Sequence, residues 1–494
     1  MLNLLTSSQT RDADAHTIAL GKMSSSELME KASQAFVREF KKEVPDLSNR
    51  ISIFCGTGNN GGDGLAIARI LKRDGYPNIS VKIVRFSARS TDDFENNLKR
   101  LDRMGIPVSD ILEATGREEE NTDVIIDALV GSGLNKPAEG DLEQVISRIN
   151  RSGAKIISVD VPSGFFAEGM IDPAAVTIKA SLVISFQRPK INFFFPESEH
   201  ALERFKAVPI GLDEEYIRSL PGHWKLTEKN DIDHILNPRK NFSHKGTYGH
   251  ALIIAGAEET MGAALLCAEA CLHSGAGLTT AYIPKSGLTA LNTRSPEIMA
   301  LSGRDRLTGS ALRKYSSIAF GPGTGTGRDA LQLLEDVLSC RDIPLVIDAD
   351  GLNLLAANPE LLGKLPGQAI LTPHMKEFDR MFGEHLSWWE RIETGRAKAA
   401  SLNAVILLKN QYSFIILPDG DVLINPTGNP AMASGGMGDV LTGMIAAFLA
   451  QGYQAKDAAI LACYLHGLIG DEMKAAGMKC IPPRYLVERI PFLL

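Results

Sequence analysis

No apolar run in the 494-residue chain approaches the length of a membrane span, and the start, MLNLLTSSQTRDADAH, has neither a basic n-region nor a long apolar h-region. The expectation is a cytoplasmic protein without a membrane partner. Zinc-type cysteine pairs are also missing: the six cysteines stand at 55, 267, 271, 340, 463 and 480, most of them in apolar strand or helix patterns. They are expected to be buried free thiols, with Cys267 and Cys271 one helical turn apart for packing and not for metal. Excess positive charge is absent too, and a net charge of −7 gives no general attraction to nucleic acid or anionic membrane. No GxxxxGK[ST] motif occurs, which argues against a P-loop ATPase.

What is present exceeds one core. A chain of 494 residues calls for two or three domains, two large ones fitting best, and 44% hydrophobic with 22% charged residues is an ordinary globular balance. From Ser24 a capped helix is expected, with an apolar stripe through Leu28, Ala32, Ala35, Phe36 and Phe40. ISIFC, GTGNNGGDG and LAIARILKR then follow as strand, glycine-rich loop and helix. Further strands at SVKIVRF, DVIIDALVGSG and KIISVDVPSG alternate with helices over Asp92–Met104 and near Glu139–Asn150. The pattern predicts an α/β, doubly wound parallel sheet with its ligand at the carboxyl ends of the strands.

The candidate residues of this half fall at those ends. Gly56, Gly58 and Gly61 satisfy GxGxxG, and Arg85 and Arg89 end the next strand, which alone would point to an NADP-binding dehydrogenase. Asn59, Asn60 and Asp63 inside the loop, Asp127 ending one strand, and Asp160 with Ser163 ending another point elsewhere. Their oxygens suit a cation with few carboxylate ligands; the alternative is that Asp127, Asp160 and Ser163 only cap helices or turns.

The second half centres on GNPAMASGGMGDVLTG, residues 428–443. Gly435, Gly436 and Gly438 let backbone N–H groups approach a phosphoryl oxygen, the following helix adds its positive end, and Asp439 stands where a proton would be taken. The competing reading is a tight turn with Asp439 as a first-turn cap. A polar stretch near 215–225 marks the boundary, giving domains 1–220 and 221–494. Beyond it, strands lead to Asp348 and Asp350, to His374 and Glu377, and to Lys409, with PDGD at 418–421 joining a hairpin. Lys409 is placed to neutralise nucleotide phosphate, Asp348 or Asp350 to face hydrated magnesium, and Asp439 to act as base, a sugar-kinase-like arrangement. His374 is as readily a cap, and Lys409 a solvated strand end.

Through CGTGNNGGDG, DALVGSGLNKP and SVDVPSG, the first 215 or so residues resemble the YjeF N-terminal family of NAD(P)H-hydrate epimerases, of Rossmann-like three-layer fold. The resemblance implies that Asn59, Asn60, Gly61, Gly62 and Asp63, the run Gly131, Ser132, Gly133, Leu134, Asn135, Lys136 and Pro137, and Asp160 hold the hydrated nicotinamide nucleotide. It also implies that Asn60, Asp127 and Ser163 bind potassium. Epimerisation requires an acid or base at the hydroxyl-bearing carbon; Asp160 is the candidate, with Lys136 as its electrostatic partner.

From about 225 onward, KGTYG, HSGAG, FGPGTG, VIDADGLN, LTPHMKEF and NPAMASGGMGDVLTG resemble the NAD(P)H-hydrate dehydratases of ribokinase-like fold. The resemblance implies that ADP or ATP, with magnesium, phosphorylates the hydrate hydroxyl and that phosphate then leaves. It places Ala263, Gly323, His374 and Asp439 on the hydrate, and Lys409, Asn410, Gln411, Tyr412, Ser413 and Gly438 on the adenine nucleotide. Asn410, Ser413, Met375, Lys376 and Met437 depart from the usual residues, which bears on nucleotide affinity and on ADP versus ATP and leaves base and cradle intact. A two-domain fusion resembles members that use ADP, and a homo-oligomer. The expectation is a bifunctional repair enzyme; a small-molecule kinase, and an N-terminal half that only binds, are the competing readings.

Overall fold

The computed structural model describes all residues except 22, 87–88, 112–121, 135, 303–306, 308 and 368. The chain forms two compact units, Asn3–Gly222 with Ser387–Trp389, and His223–Leu386 and Glu390–Leu494 with Met1–Leu2.

In the first unit, seven parallel strands are ordered β3-β2-β1-β4-β5-β6-β7, where β1 is Ile51–Cys55, β2 Ile79–Val84, β3 Val108–Ile111, β4 Val124–Ala128, β5 Lys155–Val159, β6 Leu182–Phe186 and β7 Phe205–Val208. The order reverses between β1 and β4, and the loops leaving their carboxyl ends part there to open a crevice. β1, β4 and most of β5 are buried throughout, hence their continuous apolar runs. β3, reading VSDI, is largely exposed, which is why no apolar pattern announces it. The expected capped helix runs Ser25–Glu43 with Ser24 and Glu27 exchanging cap bonds, and its stripe through Phe36 and Phe40 is buried. Helices Asp92–Asp102 and Asp141–Arg151 stand within two residues of the expected bounds.

In the second unit the strands from residue 224 onward are β8 Trp224–Leu226, β9 His250–Ile254, β10 Leu278–Ile283, β11 Met299–Ser302, β12 Ser317–Phe320, β13 Leu345–Ile347, β14 Ala369–Leu371, β15 Val405–Leu408, β16 Phe414–Ile416 and β17 Val422–Ile424. They lie in the order β8-β17-β16-β15-β14-β13-β12-β9-β10-β11, parallel except where β16 pairs β15 and β17. The β16–β17 turn is the expected PDGD hairpin. Alternate residues of β9 feed opposite cores. Ala251 and Ile253 face the helices Met261–His273, Met437–Ala450 and Ala455–Ala475, while Leu252 and Ile254 face Arg328–Leu338 and Asp350–Ala357.

Four cysteines are buried as expected; Cys340 is half-buried and Cys480 is exposed, because Cys480 lies in the loop after the long Ala455–Ala475 helix. No helix of the described residues is long and apolar enough to cross a membrane.

Candidate active sites

In the first unit, Asn59 to Asp63 form the first turn of helix Asn59–Arg73, directly after β1. Gly56 and Gly61 allow the loop to close: a Cβ on Gly61 would lie 1.7 Å from the Gly56 carbonyl oxygen, and one on Gly56 2.1 Å from that of Leu129. Gly58 meets nothing, and Gly64 is the glycine that lets the helix lie on Cys55 and Ala128.

The crevice holds a cavity of about 480 Å³, lined among others by Asn59, Asn60, Asp63, Gly131, Ser132, Gly133 and Asp160. Gly61 and Gly62 face the packing side instead, where a Cβ on Gly62 would meet the Met29 thioether methyl at 2.9 Å. Leu134 and the exposed Lys136 and Pro137 are not in its wall, and Asn135 lies outside the described residues.

Asp127, at the end of β4, is fully buried. Its carboxylate accepts from Ser158 Oγ at 2.8 Å, Ser163 N at 2.9 Å, Ser163 Oγ at 2.6 Å and Leu129 N at 3.3 Å. Burial pushes its carboxyl up, and the serine hydrogen bonds oppose that. It caps no helix, since the next one begins at Gly140. Asn60 brings its amide against Gly131, where a Cβ would lie 3.3 Å from Oδ1, and its buried Nδ2 has no hydrogen-bond partner.

Asp160, just after β5, takes φ 64°, a left-handed backbone that a non-glycine residue adopts only when its surroundings hold it there. Phe186 N at 2.9 Å, Ser185 Oγ at 3.2 Å and Lys190 Nζ at 2.7 Å do so. The expected partner Lys136 is therefore corrected to Lys190, only 4% exposed, because Lys136 sits on the exposed loop while the segment after β6 delivers Lys190 into the cavity. Asp14, from helix Ser7–Ala19, joins the same wall. Neither belongs to a glycine motif; the only sequence signal was a lysine and an aspartate in otherwise unremarked segments.

In the second unit, helix Met437–Ala450 begins at Gly436, φ 96°, with no side-chain cap, so Asp439 is not the cap and no side chain takes up the first-turn amides. Asp439 is half-buried. Burial, and next the charge of Asp348, push its carboxyl up to about 6, with Lys409 opposing.

Asp348, buried at the end of β13, accepts from Lys409 Nζ at 2.7 Å, Thr442 Oγ1 at 2.7 Å and Ala349 N at 2.8 Å. Ala349 carries φ 48°, so strained backbone follows a strand end here as at Asp160. A Cβ on Gly438 would lie 3.5 Å from both Asp348 Oδ2 and Lys409 Nζ, which puts this glycine against the ion pair. Asp350 accepts from Gly325 N at 2.9 Å and ties the FGPGTG loop to the same strand end.

A cavity of about 410 Å³ beside this pair is lined by Lys409, Asn410, Gln411, Ser413 and Gly438, with Met437 and His466. Tyr412 is half-buried outside its wall. Burial holds His466 down to about 4, so it is neutral at physiological pH. Asn410 Nδ2 is buried without a hydrogen-bond partner.

Gly323, φ 65°, touches the helix that carries Ala263: a Cβ there would meet Thr260 Cβ at 2.9 Å and Ala263 Cβ at 3.1 Å. His374 caps helix Met375–Phe382 through Nδ1, which accepts from Glu377 N at 3.2 Å, and its backbone bridges to Lys409. A second cavity, about 330 Å³, opens beside Gly323 at the ends of β9 and β10, lined by Gly256, Ala257, Tyr282 and Thr324 among others.

Residues 25–192 match the family described as YjeF-related protein N-terminus, and residues 251–492 the family described as NAD(P)H-hydrate dehydratase. The bifunctional NAD(P)H-hydrate repair enzyme of Thermofilum pendens is 34% identical over 90% of this chain and 87% of its own length. The chain belongs to the bifunctional NAD(P)H-hydrate repair enzyme family. The member from Moorella thermoacetica is 33% identical over 94% of this chain and 92% of its own. Among solved structures, the ADP/ATP-dependent NAD(P)H-hydrate dehydratase of Bacillus subtilis, co-crystallised with ATP and Mg²⁺, matches with TM-score 0.50 and 32% identity, covering 55% of this chain and 97% of its own. The second unit thus has the ribokinase-like fold of this repair-enzyme family, and the first is its YjeF-related portion.

Proposed function

We propose that residues 1–220 epimerise the R and S hydrates of NADH and NADPH, and that residues 221–494 dehydrate the S form at the expense of ADP or ATP. The observation that carries this is Asp439: an uncapped, half-buried carboxylate over free helix amides, beside a lysine held by a buried aspartate. In the first step the hydrate hydroxyl attacks the terminal phosphorus, its proton passes to Asp439, and the bond to the departing nucleotide breaks. Helix amides and Lys409 hold the charge on the transferred oxygens. Phosphate then leaves with the C–O electron pair, the neighbouring ring carbon loses a proton, and the ring double bond is restored. Phosphorylation matters because hydroxide is a poor leaving group.

The remaining roles follow the same reading. Lys409, Asn410, Gln411, Ser413 and Gly438 contact the adenine nucleotide, the orphaned Asn410 amide offering it a donor, and Tyr412 supports that wall from behind. Ala263, Gly323, His374 and Asp439 contact the hydrate, and the cavity beside Gly323 receives part of the dinucleotide. Asp348 is occupied by Lys409 and Thr442, so Asp350, whose Oδ1 has only Asn353 at 3.4 Å, is the carboxylate left to face hydrated Mg²⁺. Magnesium there would offset phosphoryl charge.

In the first unit, Asn59, Asn60, Asp63, Gly131, Ser132, Gly133 and Asp160, which line the cavity, hold the hydrate, while Gly61 and Gly62 let the loop close around it. Asn60, Asp127 and Ser163 offer amide, carboxylate and hydroxyl oxygens with a single negative charge, a set that suits a monovalent cation. Potassium there would supply fixed positive charge near an anionic nucleotide. A cytoplasmic homo-oligomer completes the reading by family resemblance, with no nucleic acid among its partners.

The test is absorbance in the reduced-nicotinamide band while the protein acts on mixed R and S hydrates with ADP, then ATP, magnesium and potassium. Full recovery beyond the spontaneous rate is expected. Recovery that stops after the S fraction would reduce the first unit to a binding module, and a stable phosphorylated product would reveal a small-molecule kinase.

A further inference from the structure

Of the three carboxyl groups lining the cavity of the first unit, Asp14, Asp63 and Asp160, two stand in unlike surroundings on the open wall. Asp160 is tied to Lys190 and two further donors. Asp14 lines the same cavity, yet among the described residues its carboxyl has no hydrogen bond or ion pair. The helix that carries it is fixed. Ala13 and Thr17 are buried, Thr17 Oγ1 donates to Ala13 O at 2.7 Å and accepts from Asp213 N at 3.1 Å, and Thr6 with Gln9 closes the helix start. Asp14 is thus held at the cavity wall without being consumed by the fold.

We propose that Asp14 is a catalytic residue of the epimerase site, paired with Asp160 across the hydroxyl-bearing ring carbon, and that Lys190 is the positioning residue that holds the Asp160 carboxylate in place. The proposal rests on reading the first unit as a hydrate epimerase. Hydration of an enamine adds water so that the hydroxyl lands on the carbon next to the ring nitrogen. To invert that carbon, the Asp14 carboxyl gives its proton to the hydroxyl, the C–O bond breaks as water leaves, and the nitrogen lone pair forms a C=N⁺ bond. Water then adds to the opposite face and gives its proton to Asp160, closing the N lone pair again. One proton has entered and one has left, and the reverse reaction exchanges the two roles. Anionic neighbours favour the cationic intermediate.

The surroundings of Asp14 favour the proton this scheme needs there. Burial, with the charge of Asp160 adding to it and that of Lys190 opposing, pushes Asp14 up to about 6. Asp63, also in the wall, is driven well above the usual carboxylate range, by burial first and then by the charge of Asp160; Arg11 and Arg89 are the remaining charged groups there.

The test uses the full chain, purified R hydrate, ADP and magnesium, with spontaneous epimerisation subtracted. Asp14→Asn is expected to lower epimerase kcat about 100-fold or more with little change in KM. It should leave S-hydrate dehydration intact, which also shows that the chain is folded. The wild-type rate should fall as pH rises above the Asp14 value, and Asp14→Asn should lose that limb. Asp14→Glu should regain part of the turnover with the limb displaced. Near-wild-type turnover in Asp14→Asn, or an unchanged limb in either variant, overturns the proposal. If Asp14→Asn does not fold, Asp14→Glu decides by its limb. A wild-type protein that leaves R hydrate untouched would instead overturn the epimerase reading, and the pair with it.

Discussion

Replacing Asp439 with asparagine should make the second unit more stable and inactive at once. Burial, together with Asp348, moves this carboxyl from 3.8 to about 6, which corresponds to a cost of about 3 kcal/mol for keeping it ionised in the folded chain at neutral pH. The folded protein holds this proton more tightly than the unfolded one. Stability from this group is therefore full below about pH 4, falls as pH rises toward about 6, and is lost above it. A neutral amide escapes that cost, so the variant should gain about 1–3 kcal/mol at pH 7.5, and the gap should shrink to roughly half at pH 5. Pulse proteolysis of the full chain in urea, following the C-terminal fragment, measures the gap at both values. Turnover of the S hydrate should drop by about 10²–10⁴-fold, and the wild-type acid limb, with its midpoint near the Asp439 value, should vanish. Equal stability at pH 7.5 would refute the burial argument, and retained turnover would refute the base.

Lys409→Met should cost about 3 kcal/mol, because it strands the Asp348 carboxylate, 1% exposed, without its cation. Adding Asp348→Asn should return most of that in urea unfolding while the nucleotide KM stays raised. Gly443→Ala should cost about 3 kcal/mol or more, since its Cβ would lie 2.1 Å from the Cys267 carbonyl oxygen and force helices Met261–His273 and Met437–Ala450 apart; thermal unfolding reads this, and a variant within 1 °C of wild type would refute that packing. In thiol labelling of the native protein, Cys480 should react first and Cys340 more slowly, while buried Cys55, Cys267, Cys271 and Cys463 wait for unfolding.

What the sequence made legible was whatever a short segment decides by itself. ISIFC and VIIDA are buried on both faces, so their apolar runs declare them strands, and Gly56 and Gly61 mark a close backbone approach that any larger residue would block. The GGMGD loop likewise carries its own amides and its own acid. Pairings between distant segments left no local trace. Lys190 stands thirty positions after Asp160 with a strand between them, and only the segment after β6 brings it to that carboxylate.

Asp14 sits on a helix without an apolar stripe, where composition gives no reason to place a carboxylate against a cavity. The same holds for Asp348, which from the sequence was placed to face hydrated magnesium. In the fold its two oxygens go to Lys409 and Thr442, and its role becomes that of holding a cation beside Asp439. In both units a loop contributes backbone amides or close turns, while burial first, and next the charges of a buried aspartate–lysine pair, shift the neighbouring acid. That division explains why the chemistry was legible from motifs and the protonation states were not: the first depends on adjacent residues, the second on burial and on charges that only the sheet brings together.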